Sequence, residues 1–370
     1  MTTELTPQET NAERSKTATP PSELFRIAVV LPVYNTERYL SESLDSLRRQ
    51  THGDFAVFCV DDASTDGSLS RIERFAAQDP RFHVLHLKQN GGISTARNRA
   101  LELVEAQDDF KAVYFFDSDD RLRPDALARM AETLGASDAD YAVFGWLPFD
   151  KKGPDPRPWF LPAEEALRGT EPIFWQYLRP HIDRENRRDA SAGRFLGNKV
   201  FRASSIRGLR FDESMRKAED VCFWAELAGR LEKGVLVKEI LLDYRLRSSS
   251  SFHSSTRVLG DIEAYLRIRA ALRQAGALSA RIASAVDEEI VRLLWISIKN
   301  AVFDRDPVEN SRNVRRIYRR IREEGVRFSE HSRKKYRIYE LGDWALRLRY
   351  FRHAKRDAER RRLVRNDFFE

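Results

Sequence analysis

Between Arg26 and about Trp146, short apolar runs alternate with stretches of helical period, and no other feature restricts the fold as much. The runs span Ile27 to Val33, Phe55 to Val60, Phe82 to Leu87, Ala112 to Phe116 and Tyr141 to Trp146. Their length and their β-branched and aromatic content predict strands. Between them the pattern predicts helices near Glu37 to Gln50, Ser68 to Ala77, Ser94 to Glu105 and Pro124 to Leu134. Such an alternation builds βαβ units, with helices on both faces of a mostly parallel sheet. Ligands of an open α/β sheet bind beyond the carboxyl ends of its strands. The polar motifs of this chain fall there.

The first run ends in Pro32-Val33-Tyr34-Asn35, an aromatic ring beside an amide that can cap the next helix. Tyr34 either stacks on a base or simply packs. The second ends in Val60-Asp61-Asp62-Ala63-Ser64-Thr65-Asp66-Gly67. A carboxylate there can accept from a uracil N3–H or from ribose hydroxyls, while Ser64 or Asp66 caps the helix; Asp66 reads mainly as a cap. Asn90-Gly91-Gly92-Ile93-Ser94-Thr95-Ala96-Arg97-Asn98 is a glycine-bearing turn that opens a helix. Backbone N–H groups at such a start favour anions, and Arg97 one turn in can meet a phosphate or orient a carboxylate. It is not the dinucleotide fingerprint, which needs G-x-G-x-x-G after the first strand.

The fourth motif is the run Val113-Tyr114-Phe115-Phe116 followed by Asp117-Ser118-Asp119-Asp120. Asp117 and Asp119 are the natural pair for a hard divalent cation, Mg²⁺ or Mn²⁺, which bridges carboxylates to nucleotide phosphates. The alternative is a solvated turn that caps the helix beginning near Pro124. Four polar strand ends in series are far less expected by chance than one.

After Trp146 the alternation fails, and residues 147–192 read as an insertion shaping a second substrate site. Order returns with Gly197-Asn198-Lys199-Val200-Phe201-Arg202 and Leu209-Arg210-Phe211-Asp212-Glu213. Ala218-Glu219-Asp220-Val221-Cys222-Phe223-Trp224 then puts two acids at the first turn of an apolar helix, a placement the helix dipole alone justifies. Val235 to Leu242 predicts a strand, and Arg245 and Arg247 followed by Ser248 to Ser251 form either a diphosphate-binding lip or a solvated loop. Residues 258–328 look wholly helical.

The formal net charge of +7 sits in the tail: residues 331–370 hold 13 Lys and Arg against 6 Asp and Glu, so the preceding 330 residues are neutral, with 51 of each sign. The basic balance therefore implies nothing about a basic cleft. Leu341, Trp344, Leu348 and Phe351 share one helical face beside Arg347, Arg349, Arg352 and Lys355. That is the pattern of an interfacial helix drawn to anionic lipid, or of a helix packing on its neighbours. No nucleic-acid-binding motif accompanies the charge. Cys59 and Cys222 suit two reduced core thiols in a cytoplasmic protein. No apolar run reaches the length of a membrane span.

Pro-Val-Tyr-Asn, Val-Asp-Asp-Ala-Ser-Thr-Asp, Gly-Gly-Ile-Ser-Thr-Ala-Arg-Asn, Asp-Ser-Asp-Asp and then Glu-Asp before an aromatic-rich helix, in that order, resemble the family 2 glycosyltransferases of the GT-A fold. The resemblance covers about residues 26–250. It implies transfer of a sugar from a nucleotide-diphosphate donor, a UDP-sugar, to an acceptor hydroxyl with inversion. It implies that Pro32, Tyr34 and Asp62 hold the nucleoside, that Arg97 and Ser118 lie near the nucleotide, and that Asp117 contacts ribose or metal. By the same carry-over Asp119 ligates Mn²⁺ or Mg²⁺, Asp220 is the general base with Glu219 its neighbour, and Arg245 and Arg247 close over the leaving group.

The implied acceptor is a saccharide or a lipid-linked saccharide of the cell envelope. The Gln-x-x-Arg-Trp motif of processive, membrane-embedded members is missing, so addition of one sugar or a few is expected. The expected organisation is a disordered leader over 1–24, a GT-A domain over 25–255 with 147–192 inserted, and a helical region over 256–370 ending in the basic amphipathic tail. Peripheral attachment to the inner face of the membrane through that tail is a further expectation. Two rivals remain: a nucleotide-sugar-binding scaffold without turnover, and a phosphatase of the haloacid dehalogenase type, whose Asp-x-Asp normally follows the first strand.

Overall fold

The computed structural model describes residues 25–150, 153–154, 165–169, 172–173, 196–215, 219–246, 257–274, 276, 278–302 and 307–328. Strands β1 (Ile27–Val33), β2 (Phe55–Asp61), β3 (Phe82–His86) and β4 (Ala112–Phe115) realise the first four predicted runs. They pair in parallel in the order β3-β2-β1-β4. Helices α1 (Glu37–Arg48), α2 (Ser68–Ala76) and α3 (Ile93–Gln107) connect them. Then follow β5 (Arg121–Leu122), α4 (Ala126–Gly135) and β6 (Tyr141–Asp150), close to the predicted bounds of the last helix and strand.

β1 and β2 are buried over their whole length because both faces of the sheet are covered. In β4 the period of two sorts the side chains. Val113 and Phe115 join one buried cluster with Phe201 and Trp224, and Tyr114 and Phe116 join the opposite one with Leu44 and Met130. Each such aromatic ring taken from water contributes roughly 2–3 kcal/mol. β4 is thereby pinned at the centre, and its carboxyl end with it.

The sheet is parallel through its first four strands and mixed beyond them. β9 (Lys199–Arg202) runs antiparallel between β4 and β6, with Tyr114 opposite Val200 and Val143 opposite Lys199. Its first residue therefore lies level with the last residues of β4. β10 is longer than predicted, Lys233–Arg245, and pairs in parallel with β6 through register shifts around Ile240. Within 147–192, where the sequence shows no period, β7 (Gly153–Pro154) and β8 (Glu165–Arg168) extend the sheet by pairing with β6 and β10.

Two further helices, α5 (Ala203–Ile206) and α6 (Glu219–Ala228), separate β9 from β10. The predicted helical region holds α7 (Arg257–Gln274), α8 (Ala280–Val302) and α9 (Pro307–Glu323). It does not form a separate core. Tyr265 and Leu266 of α7, Ile290 of α8 and Ile321 of α9 belong to the same buried cluster as Phe115 and Trp224. Buried Arg269 ties the three helices together. Its Nε donates to Asp287 at 2.7 Å and its terminal nitrogens to the Glu324 and Gly325 carbonyls at 2.7 and 3.1 Å.

Among the described residues no helix is long and apolar enough to cross a membrane. Cys59 and Cys222 are buried, unpaired thiols, as expected. The leader, the basic tail, and Arg247 with Ser248 to Ser251 lie outside the described residues.

Candidate active site

The β1 and β2 ends are built as one unit, because side chains of each loop accept from backbone N–H groups of the other. Asn35 turns into the left-handed region at φ 50°, and Ala63 does so at φ 56°. The Asn35 side chain does not cap α1, as the sequence suggests; its Oδ1 accepts from the Thr65 N–H at 2.8 Å. In return Ser64 Oγ accepts from the Asn35 N–H at 3.0 Å and Ser68 Oγ from the Thr36 N–H at 3.0 Å. Asp66 is the cap its position predicts, but for two helices: its oxygens accept from the Ser68 and Glu37 N–H groups at 3.0 and 3.1 Å. Burial pushes its carboxyl up, and these hydrogen bonds outweigh that and hold it below the usual range. Tyr34 stands at the mouth of this unit, 47% exposed, so it does not serve the core. Pro32 is buried within β1, opposite Val60.

The anion favoured by the glycine turn is internal. Asp62, almost fully buried, accepts from the Gly91 N–H at 2.7 Å and the Gly92 N–H at 2.8 Å through its two oxygens. Its charge thus sits at the amino end of α3, where the helix dipole favours it. Gly92 at φ 89° adopts a conformation that a side chain would strain, and a Cβ on Gly91 would lie 2.8 Å from Thr95. Each Asp62 oxygen keeps lone-pair capacity for a further donor.

At the end of β4, Asp117 is one-third exposed while Ser118, Asp119 and Asp120 are buried. The turn closes with the Asp120 N–H donating to the Asp117 carbonyl at 3.1 Å. The far end of β10 holds it from behind. The Arg245 N–H donates to Asp120 Oδ1 at 2.8 Å, and the Arg245 Nε donates to the Asp119 carbonyl at 2.7 Å. The same guanidinium pairs with Glu42 and lies 4.2 Å from the Phe149 ring centre and 4.9 Å from that of Tyr39. Arg121 joins Glu42 at 2.8 Å. Burial raises the Glu42 carboxyl, and the two arginines outweigh it and hold the group below its ordinary value. Arg245 thus braces the aspartate turn beside which the resemblance places the leaving group; the extra length of β10 puts it there.

Arg97 joins the two halves of the site. Almost fully buried, it donates to Asp117 Oδ1 at 3.3 Å and to Glu219 Oε1 at 3.0 Å, with its guanidinium 5.1 Å from the Phe211 ring centre. It thereby orients carboxylates, one of its two sequence readings. Glu219 and Asp220 occupy the first turn of α6, as the sequence predicts. The loop before α6 is tied to α3, since Glu213 accepts from Asn98 Nδ2 at 2.9 Å and from Thr95 Oγ1 at 3.0 Å. Asn98 is the main cause that keeps the Glu213 carboxyl below its usual value.

Sequence reasoning gave no role to Glu42, Asn98, Glu213 or Lys199. The first three act only through contacts made across the chain. Lys199 carried a visible signal, a lysine in phase with Phe201 in a strand flanked by apolar residues.

Residues 28–204 match the family described as Glycosyl transferase family 2. The chain is 31% identical over 230 residues to the putative teichuronic acid biosynthesis glycosyltransferase TuaG of Bacillus subtilis (strain 168), a match covering 60% of this chain and 80% of that one. It is 30% identical over 226 residues to the uncharacterized glycosyltransferase EpsJ of the same organism, covering 60% of this chain and 62% of that one. Among solved structures it resembles S. aureus TarS 1–349 in complex with UDP-GlcNAc, with a TM-score of 0.65 and 20% identity over 90% of this chain and 92% of that one. The chain belongs to glycosyl transferase family 2. Its fold is the GT-A arrangement of a central sheet flanked by helices, and it is a transferase by descent.

Proposed function

We infer that the protein transfers a sugar from a nucleoside-diphosphate donor, a UDP-sugar, to a hydroxyl of a saccharide or lipid-linked acceptor in cell-surface polysaccharide synthesis, with inversion. One observation carries this reading: the buried Arg97 bridge ties the aspartate turn at β4 and the acidic turn of α6 to separate terminal nitrogens of one guanidinium. A displacement at an anomeric carbon needs a base on the acceptor side and charge stabilisation on the departing diphosphate, and one carboxylate cannot serve both. The similarity to the putative teichuronic acid biosynthesis glycosyltransferase TuaG and to TarS, which is solved with UDP-GlcNAc, supports the substrate class.

In this reading Asp220 takes the proton of the attacking hydroxyl, Glu219 is held beside it by Arg97, and Tyr34, exposed at the end of β1, offers its ring to the nucleobase. Asp62 and Pro32 line the nucleoside side, and Asp62 keeps acceptor capacity there. Asp117 and Asp119 would hold Mn²⁺ or Mg²⁺. Two carboxylates on one turn fit an ion that takes its remaining ligands from phosphate and water, and among the described residues no group of three or more acids, His or Cys forms an independent metal site. The ion would supply charge neutralisation on the leaving diphosphate.

The test is UDP release from a panel of UDP-sugars with Mn²⁺. Metal-dependent release, reduced at least 100-fold in Asp119→Ala, is expected; release indifferent to metal and to Asp119 would overturn the metal assignment. No release from any nucleotide sugar would favour the scaffold alternative. Attachment of the basic tail to the membrane is tested by sedimentation with anionic liposomes at low salt, and a protein left in the supernatant would refute it.

A further inference from the structure

Lys199 has no part in the chemistry above, yet it is completely buried. Because β9 runs antiparallel to β4, Lys199 emerges one residue beyond the Tyr114–Val200 pair, at the carboxyl end of β4. The period of two puts it on the face of Phe201, the face covered by α6. There its Nζ donates to Asn198 Oδ1 at 2.8 Å and lies 5.4 Å from the Trp224 ring centre. Asn198 is fixed in turn, its Nδ2 donating to the Phe144 carbonyl at 3.2 Å. Burial draws the amine down to about 7, and the Asp220 carboxylate opposes that pull. Lysines are almost never fully buried unless something compensates the charge.

We propose that Lys199 is a positioning residue for Asp220: a buried ammonium behind the first turn of α6 that holds the neighbouring carboxylate ionised and aimed. The proposal rests on the reading of Asp220 as the base. The charged and titratable groups around it come from several elements. α6 supplies Glu219, Asp220, Glu226 and Cys222, whose thiol is pushed up to about 12 by burial first and by Asp220 second. α3 supplies Arg97, the aspartate turn Asp117 and Asp120, and α7 Glu263. β4 and β6 supply Tyr114 and Tyr141, whose hydroxyls burial holds in the neutral form. Trp224, whose ring Lys199 faces, lies one helical turn beyond Asp220 on the same face of α6, so the ammonium and the Asp220 carboxylate share that face and couple there. A cation behind a general base opposes its untimely protonation and restricts the carboxylate to one direction.

The experiment is a carboxyl titration by NMR on the full chain labelled with ¹³Cγ-aspartate, the Asp220 signal being assigned by its loss in Asp220→Asn. In Lys199→Met the Asp220 midpoint is expected to move up by at least one pH unit, a tenfold change in proton affinity. A midpoint moved by less than about 0.3 unit would overturn the proposal. Coupling is reciprocal, so a second arm needs no change at Lys199. With ¹³Cε-lysine, Asp220→Asn is expected to lower the Lys199 midpoint, and an unmoved midpoint would overturn the proposal even if Lys199→Met does not fold. Neither arm uses donor or acceptor. Retention of sugar transfer by Asp220→Asn would instead sink the base assignment, with the measured coupling intact.

Discussion

The side of the site built from β1, β2 and the start of α3 differs in construction from the side built from the aspartate turn, α6 and the end of β10. The first is braced by backbone N–H groups bonded to short side chains of adjoining loops: Asn35, Ser64, Asp66, Ser68 and Asp62. The second is braced by long side chains reaching across the fold, as Arg97 reaches Glu219 and Arg245 reaches Asp119. Short caps fix a loop's shape and contribute about 1 kcal/mol each. Buried cations fix the charge and direction of a reacting group. Damage on the first side should therefore appear as lost stability, and damage on the second as lost rate.

Asp220→Asn is expected to have the largest effect: transfer falls by about 10²–10⁴-fold while calorimetric donor affinity stays within about threefold. Comparable losses of rate and donor affinity would break the separation of the two sides. Arg97→Met comes next, since it leaves Glu219 and Asp117 without their shared partner. It should lower kcat by more than tenfold and also destabilise by about 3 kcal/mol, because both ion pairs of an almost fully buried arginine are lost. A variant with wild-type kcat would mean that the bridge is scaffolding only.

Asp66→Ala removes a cap from two helices at once and should cost about 1–2 kcal/mol in urea unfolding with kcat little changed. A fall in kcat as deep as that of Arg97→Met would erase the contrast. The smallest effect runs the other way. Ala63 sits at φ 56°, where glycine carries no steric penalty, so Ala63→Gly should change stability by about 1 kcal/mol in the stabilising direction, read as a higher melting temperature.

The same contrast explains what the sequence made legible. The strands of the first half were readable because apolar residues dominate each run, and Asp66 was readable as a cap because capping depends on the next three residues. The partner of the Asn35 side chain was not readable, since Thr65 lies 30 residues on. Asp62 was recognisable as a carboxylate at a strand end, but its burial against Gly91 and Gly92 depends on how two turns meet. Arg245 read as part of a diphosphate-binding lip or of a solvated loop. Its assignment to the aspartate turn required the true length of β10 and the position of Phe149 across the sheet. The antiparallel insertion of β9 had no local signature, because four residues carry too little pattern to declare their direction.

The exchange of caps between the β1 and β2 loops means that neither can be transplanted alone. A loop grafted from another chain for a different nucleoside would arrive without its reciprocal donors and leave Thr36, Glu37 or Thr65 with unmet N–H groups. Residues 34–37 and 62–68 thus form a cassette, so the shortest exchangeable unit is two segments moved together.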